Sequence, residues 1–242
     1  MSSRAKPVVV LIPGMGNNAR LWSAQVEDLS GDHEVIVADY LGAVSIDEMS
    51  DRVLSQVPSG SFSLVGFSLG GYIALNLIGR VATRVDRLAF ISASPYADSE
   101  QAMEQRERLM QKAREDYDAV LADMGHFIVC KDGPRADETR KIVSQMGREL
   151  GVEEFCRQQQ AAMRRADSRS QLAQIECPVQ VLCGADDRVT PVSGNRYLAE
   201  HIPAATLQVL EQTGHLLPLE RPKEVSAFLR DWLTRETGEK TG

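Results

Sequence analysis

The four cysteines, Cys130, Cys156, Cys177 and Cys183, have no CxxC spacing, and no short His/Cys cluster accompanies them. That pattern argues against a zinc site and predicts reduced, partly buried thiols. Long apolar runs are also missing, so no membrane-spanning helix is expected. The opening MSSRAK is followed by only five apolar residues, VVVLI, before Pro13 and Gly14, too few for a signal-peptide core. These features together predict a cytoplasmic chain that keeps its thiols reduced. No run of basic residues offsets the net charge of -7. A surface of that sign repels phosphate backbones and anionic headgroups, so neither nucleic acid nor a membrane surface is an expected partner.

With 242 residues, 43% apolar and 25% charged, the chain can bury a large core without disulfide or metal staples. Its first half alternates two textures. Short aliphatic runs at Val8 to Ile12, Glu34 to Ala38, Phe62 to Val65 and Leu88 to Ser92 are bounded by turn formers and predict buried strands. Between them, Ala19 to Leu29, Ile46 to Val57 and Leu69 to Val81 carry apolar residues at helical spacing. The alternation predicts an α/β fold with a mostly parallel sheet flanked by helices.

From about Ala97 to Ser170 strands vanish, and Met103, Met110, Ala113, Tyr117, Val120, Met124 and Phe127 form an amphipathic helical stripe. Two more helices are predicted around Glu138 to Leu150 and Val152 to Ala166, with Gly151 as the break. The strands then resume at Pro178 to Cys183 and Thr206 to Leu210, with helices Ser193 to His201 and Lys223 to Thr234. No Pro/Gly/Ser-rich linker flanks the helical block. It is therefore expected to be an insertion, residues 97–170, capping the carboxyl edge of a core built from residues 1–96 and 171–242.

Gly66-Phe67-Ser68-Leu69-Gly70 fits G-x-S-x-G and lies between a predicted strand and a predicted helix. A strand that turns into a helix at one residue strains that residue and needs small neighbours, and it lifts the serine hydroxyl above the sheet edge. A hydroxyl is a weak nucleophile, so Ser68 needs a base and something to orient that base. Of four histidines, His33 reads as a solvated strand start and His201 as a helix end. His126 is expected to line or pack the helical block. His215 follows a strand in the loop EQTGH and is the candidate base. The loop Gly184-Ala185-Asp186-Asp187 offers two adjacent carboxylates to orient the histidine, and spacing does not choose between them. An oxyanion hole needs two converging N–H groups. Leu69 N–H and, from the loop Ile12-Pro13-Gly14-Met15-Gly16, the Met15 N–H are the candidates.

Taken together these residues resemble the α/β-hydrolase superfamily, specifically its small capped serine hydrolases, over nearly the whole chain. Pro13-Gly14 and Trp22 are similar to the family's oxyanion segment, GFSLGG to its nucleophile elbow, and Gly214-His215 to its late histidine. The pattern G-x-x-D-x-x-x-P is similar to Gly184, Asp187 and Pro191, so the resemblance implies Asp187 as the triad acid. Two departures stand out. Pro13 occupies the place where many members have a histidine, so the loop must be held in another way. The D-x-P-G-x-G-x-S turn survives only as Asp39, Gly42 and Ser45, which is expected to alter the pocket's shape.

The resemblance implies hydrolysis of a carboxylic ester or related acyl compound through Ser68, His215 and Asp187, with an acyl-enzyme and without metal or organic cofactor. The serine argues against the epoxide-opening and halide-displacing relatives, which use aspartate at the elbow. A hydroxynitrile lyase, a carbon-carbon bond hydrolase and a thioesterase would keep the same three residues, and so would a ligand-binding homologue. The expected partner is a small acyl molecule. Arg106, Arg108, Arg114, Arg164 and Arg165 are expected mainly to face solvent; any that points inward would favour an acidic substrate.

Overall fold

A computed structural model describes residues 5–234. Six strands, β1 (Val8–Ile12), β2 (Glu34–Val37), β3 (Phe62–Phe67), β4 (Val85–Ile91), β5 (Val179–Gly184) and β6 (Thr206–Leu210), form one sheet in the order β2-β1-β3-β4-β5-β6. Every pairing among them is parallel. The near-continuous aliphatic runs follow from burial on both faces. Alternate side chains go to opposite layers: Val10, Ile12, Leu64 and Phe90 to one, Val9, Leu11, Val65 and Ile91 to the other.

The helices of the core are α1 (Ser23–Leu29), α2 (Ile46–Gln56) and α3 (Leu69–Val81). Between β4 and β5 lie α4 (Glu100–Glu115), α5 (Tyr117–Ile128), α6 (Ala136–Leu150) and α7 (Val152–Met163). After β5 come α8 (Val192–His201), a single turn α9 (Leu217–Glu220) and α10 (Pro222–Thr234). Helices α2, α3 and α8 cover one face through residues such as Met49, Ile73 and Leu198. On the other, α10 buries Val225, Phe228, Leu229 and Trp232. Each such side chain contributes about 2 kcal/mol of transfer free energy.

Several boundaries differ from expectation for local reasons. The segment Ala19 to Leu29 splits into a 3-10 turn, Ala19–Trp22, capped by Asn18, and α1. The long stripe beginning at Met103 is two helices, because Asp116 leaves α4 in extended geometry and its carboxylate accepts the Ala119 N–H to cap α5. Gly151, at φ 82°, divides α6 from α7, which ends at Met163 rather than at Ala166. Strand β4 begins at Val85, three residues earlier than the aliphatic run suggests, since Asp86 and Arg87 stand at its less buried start.

The turn from β3 into α3 is as tight as its glycines imply. A Cβ on Gly66 would stand 2.5 Å from the Gly70 carbonyl oxygen, and one on Gly70 would strike the Ile12 carbonyl. Only glycine lets β1, β3 and α3 approach this closely.

Candidate active site

Ser68 sits at that turn with φ 51° and ψ -113°, a backbone conformation rare for any residue with a side chain. Its N–H is held by the Ile91 carbonyl at 3.1 Å and its own carbonyl accepts from Gly71 at 2.8 Å. The Oγ lies 2.9 Å from Nε2 of His215, which comes from the loop between β6 and α9. Nδ1 of the same ring lies 2.9 Å from Oδ2 of Asp187 in the loop after β5. Three separate strand ends thus bring Ser68, His215 and Asp187 into one hydrogen-bonded row.

The two neighbouring aspartates part company. Asp187 is buried, and Oδ1 accepts the N–H groups of Val189 and Thr190 at 2.9 Å each, while Oδ2 accepts the Thr190 hydroxyl at 2.9 Å. Burial by itself would raise its pKa, but the charge of His215, its hydrogen bond and the Thr190 N–H bring it down to about 2. Asp186 is exposed, its carboxylate 3.6 Å from Cys130 Sγ. Structure, not spacing, separates them.

Glu220 was not singled out by any motif. It is buried in α9, and its Oε2 accepts from Gly214 N at 2.9 Å and Cys130 N at 3.0 Å, its Oε1 from Leu216 N at 2.9 Å. The His215 N–H itself donates to the Ile128 carbonyl at 2.8 Å. The loop bearing the imidazole is therefore pinned at three consecutive residues. Burial pushes the Glu220 carboxyl up, and the three N–H groups oppose that shift. The signal available in the sequence was a glutamate five residues after a histidine, which carries no motif.

The loop after β1 lacks a histidine, and a tyrosine holds it. The Tyr40 hydroxyl reaches the carbonyls of Pro13 at 3.0 Å and Gly14 at 3.1 Å. Burial, then the negative charges of Glu154 and Asp39, push its pKa up, so it stays a donor. From the other side, Gln158 of α7 accepts the Gly16 N–H on Oε1 at 2.9 Å and donates Nε2 to Glu154 at 3.0 Å. Glu154 also accepts the Gly42 N–H at 3.0 Å. The loop containing Gly42 is absent from the lining of the cavity over Ser68, contrary to the expectation that it shapes the pocket; it is anchored to α7 instead.

A cavity of about 200 Å³ opens over Ser68 and His215. Met15 and Leu69 line it together with Ser68, so both candidate N–H donors belong to residues of the same cavity. Leu109, Tyr117, Leu121, Met124 and Phe155 from α4, α5 and α7 give it apolar walls. A larger cleft of about 450 Å³, between α2, α3 and residues 164–171, is lined by none of Ser68, His215 and Asp187. Ser68 and His215 make the smaller cavity the candidate site.

His126 does not line the cavity. Leu121, Met124 and Ile128 take the inward face of α5, which turns His126 outward to solvent. His33 is half-buried rather than solvated, and burial lowers its pKa. His201 is exposed and stacks on Tyr197 with ring centroids 3.7 Å apart. Of the arginines, Arg108, Arg114 and Arg164 are exposed, Arg106 reaches the cavity, and Arg165 packs its side chain, 7% exposed, against Asp98 and the Tyr72 ring. Among the described residues, no three His, Cys, Asp or Glu side chains are grouped to hold a metal ion, and no helix is long and apolar enough to cross a membrane.

A parallel sheet with a strained serine at a strand-to-helix turn, facing a histidine and a buried aspartate from later strand ends, defines an α/β-hydrolase architecture. Residues 9–228 match the Alpha/beta hydrolase family, so the chain belongs to that family and is an α/β-hydrolase enzyme. A protein of Yersinia enterocolitica named "Putative carbamate hydrolase RutD" is 27% identical over 98% of this chain and 91% of its own length. The pimeloyl-[acyl-carrier protein] methyl ester esterase of Nitrosomonas europaea is 26% identical, covering 92% of this chain and 94% of its own. Among solved structures, a thermophilic esterase from Thermogutta terrifontis superposes with a TM-score of 0.84 at 25% identity, covering 96% of this chain and 90% of that one.

Proposed function

We propose that this enzyme hydrolyses a carboxylic ester or closely related acyl compound with Ser68 as nucleophile. The observation that carries the reading is the row Ser68 Oγ, His215 Nε2, His215 Nδ1, Asp187 Oδ2, with both gaps at 2.9 Å. His215 takes the Ser68 proton as Oγ attacks the acyl carbon, and Asp187 fixes the tautomer and stabilises the imidazolium. The Met15 and Leu69 N–H groups receive the oxyanion, Leu69 with the added field of the α3 N-terminus. Collapse of the tetrahedral intermediate expels the alcohol, which takes the proton from His215 and leaves an acyl-Ser68 ester. Water activated by His215 then cleaves that ester and frees the acid and the serine.

The relatives named above are named for carbamate or methyl ester hydrolysis, both cleavages at an acyl carbon bonded to a heteroatom, which supports this class over carbon-carbon bond cleavage. Residues 97–170 act in this reading as a cap whose helices exclude water and select the acyl chain. The preferred partner is a small acyl molecule. The test is Ser68→Ala assayed on short p-nitrophenyl esters, with fluorophosphonate labelling of the parent. Loss of turnover together with labelling at Ser68 supports the reading; full activity in Ser68→Ala defeats it.

A further inference from the structure

The cavity over Ser68 is walled mainly by apolar side chains, and among the described residues its lining includes one guanidinium, that of Arg106, and no carboxylate. Arg106 projects from α4 beside Gln159 of α7, whose Oε1 accepts from Arg106 Nη1 at 2.5 Å. Its Nε donates to Asp98 Oδ2 at 2.6 Å. Asp98 cannot neutralise it fully, because the other oxygen, Oδ1, pairs with Arg165 at 2.7 Å. Two guanidiniums share one carboxylate.

The surroundings decide where the surplus charge is felt. The Asp98 and Arg165 side chains are 6% and 7% exposed, whereas Arg106 is 23% exposed. Arg165 is otherwise satisfied by the Tyr96 and Ala162 carbonyls at 3.0 and 2.7 Å and by the Tyr72 ring, 4.1 Å from its guanidinium. Arg106 therefore presents the unbalanced charge towards the cavity. A cation only partly compensated at an apolar wall is costly, and a ligand anion that reaches it is stabilised more than in water. Burial tends to raise the Asp98 pKa, but hydrogen bonds from Arg165 and Arg106 hold it low, so the carboxylate is already charged and committed.

We propose that the substrate is an acyl compound carrying a second, anionic group, a carboxylate, at the end remote from the scissile bond, and that Arg106 binds it. The proposal rests on the reading of Ser68 as the nucleophile and adds the substrate's far end. The roughly 200 Å³ cavity limits the chain between the two groups to a short one. Half-esters of small dicarboxylic acids are the class that fits.

The experiment compares monoethyl succinate, glutarate and adipate with ethyl butanoate, pentanoate and hexanoate on the parent enzyme. At least one half-ester should exceed its neutral counterpart tenfold or more in kcat/KM. Arg106→Gln should reduce that preference at least tenfold, Arg106→Lys should keep part of it, and Arg108→Gln, an exposed change on the same helix, should keep all of it. Equal or better use of the neutral esters, or a preference untouched by Arg106→Gln, overturns the proposal. Calorimetric titration of Ser68→Ala with the preferred half-ester, with and without Arg106→Gln, separates the two readings. Arg106-dependent binding without turnover by the parent upholds the anion site and defeats the hydrolase reading; turnover of neutral esters with no half-ester binding does the reverse.

Discussion

Glu220 grips His215 by the backbone, taking the N–H group before it, on Gly214, and the one after it, on Leu216, each at 2.9 Å. The imidazole is aimed by these bonds before Asp187 acts on the ring. A loop after an edge strand would otherwise leave a histidine free to sample several directions, and alignment of a base to within a fraction of an ångström is worth orders of magnitude in rate.

Replacing Glu220 with alanine should be costly in two ways. Three buried N–H groups lose their acceptor, at about 1–3 kcal/mol each before water compensates. A net loss of about 3 kcal/mol lowers the melting midpoint by roughly 6–12 °C in a domain of this size. The value of kcat on a short p-nitrophenyl ester should fall more than tenfold while KM moves little. Melting curves and steady-state kinetics check both; a midpoint unmoved by the substitution refutes the clamp.

Acid stability should carry the signature of Asp187. Its carboxyl titrates at about 2 in the folded chain, against a free value of about 3.9, so the unfolded chain binds the additional proton between those limits. The associated stability, about 2–3 kcal/mol, is complete above roughly pH 4 and drains away as pH falls towards 2. Urea unfolding across that range should show the loss in the parent. Asp187→Asn should flatten it, and an equal slope in both proteins would show that other carboxyls are responsible.

Ser68 should trade stability for function. Its φ of 51° strains any residue with a Cβ. Ser68→Gly should therefore be more stable than Ser68→Ala by about 1 kcal/mol, with both inactive on esters. Chemical denaturation of the pair measures the difference directly, and a less stable glycine variant would contradict the strain.

Tyr40→Phe tests the substitute for the missing histidine. It removes a buried hydroxyl shared by the Pro13 and Gly14 carbonyls, a cost of about 1–2 kcal/mol. If that hydroxyl positions the Met15 N–H, kcat should drop about tenfold with KM nearly constant, and a phosphonate inhibitor should label Ser68 more slowly. A variant that is merely less stable, with unchanged kcat, would assign Tyr40 a packing role alone.

The parts of the molecule legible in the sequence were those with a period or a backbone requirement. Thr206–Leu210 and Leu69–Val81 match their predicted bounds, because an aliphatic strand and an apolar helix each repeat a pattern over several residues. The glycines around Ser68 were legible because no other residue fits between β3, β1 and α3. Illegible were the choices made by burial. Spacing alone left Asp186 and Asp187 tied, and only the resemblance of Gly184, Asp187 and Pro191 to the family pattern chose Asp187; His126 fell outside the cavity through the rotation of α5. Glu220 was missed because its partners are backbone N–H groups, which every residue carries and no motif records.

Gln158 belongs to α7, yet the atom it binds, Gly16 N, belongs to the loop beneath the cavity, next to Met15. Roof and floor share a latch. A displacement of α7 that breaks this bond leaves the loop tied only from its other side, by the Tyr40 hydroxyl on the carbonyls of Pro13 and Gly14.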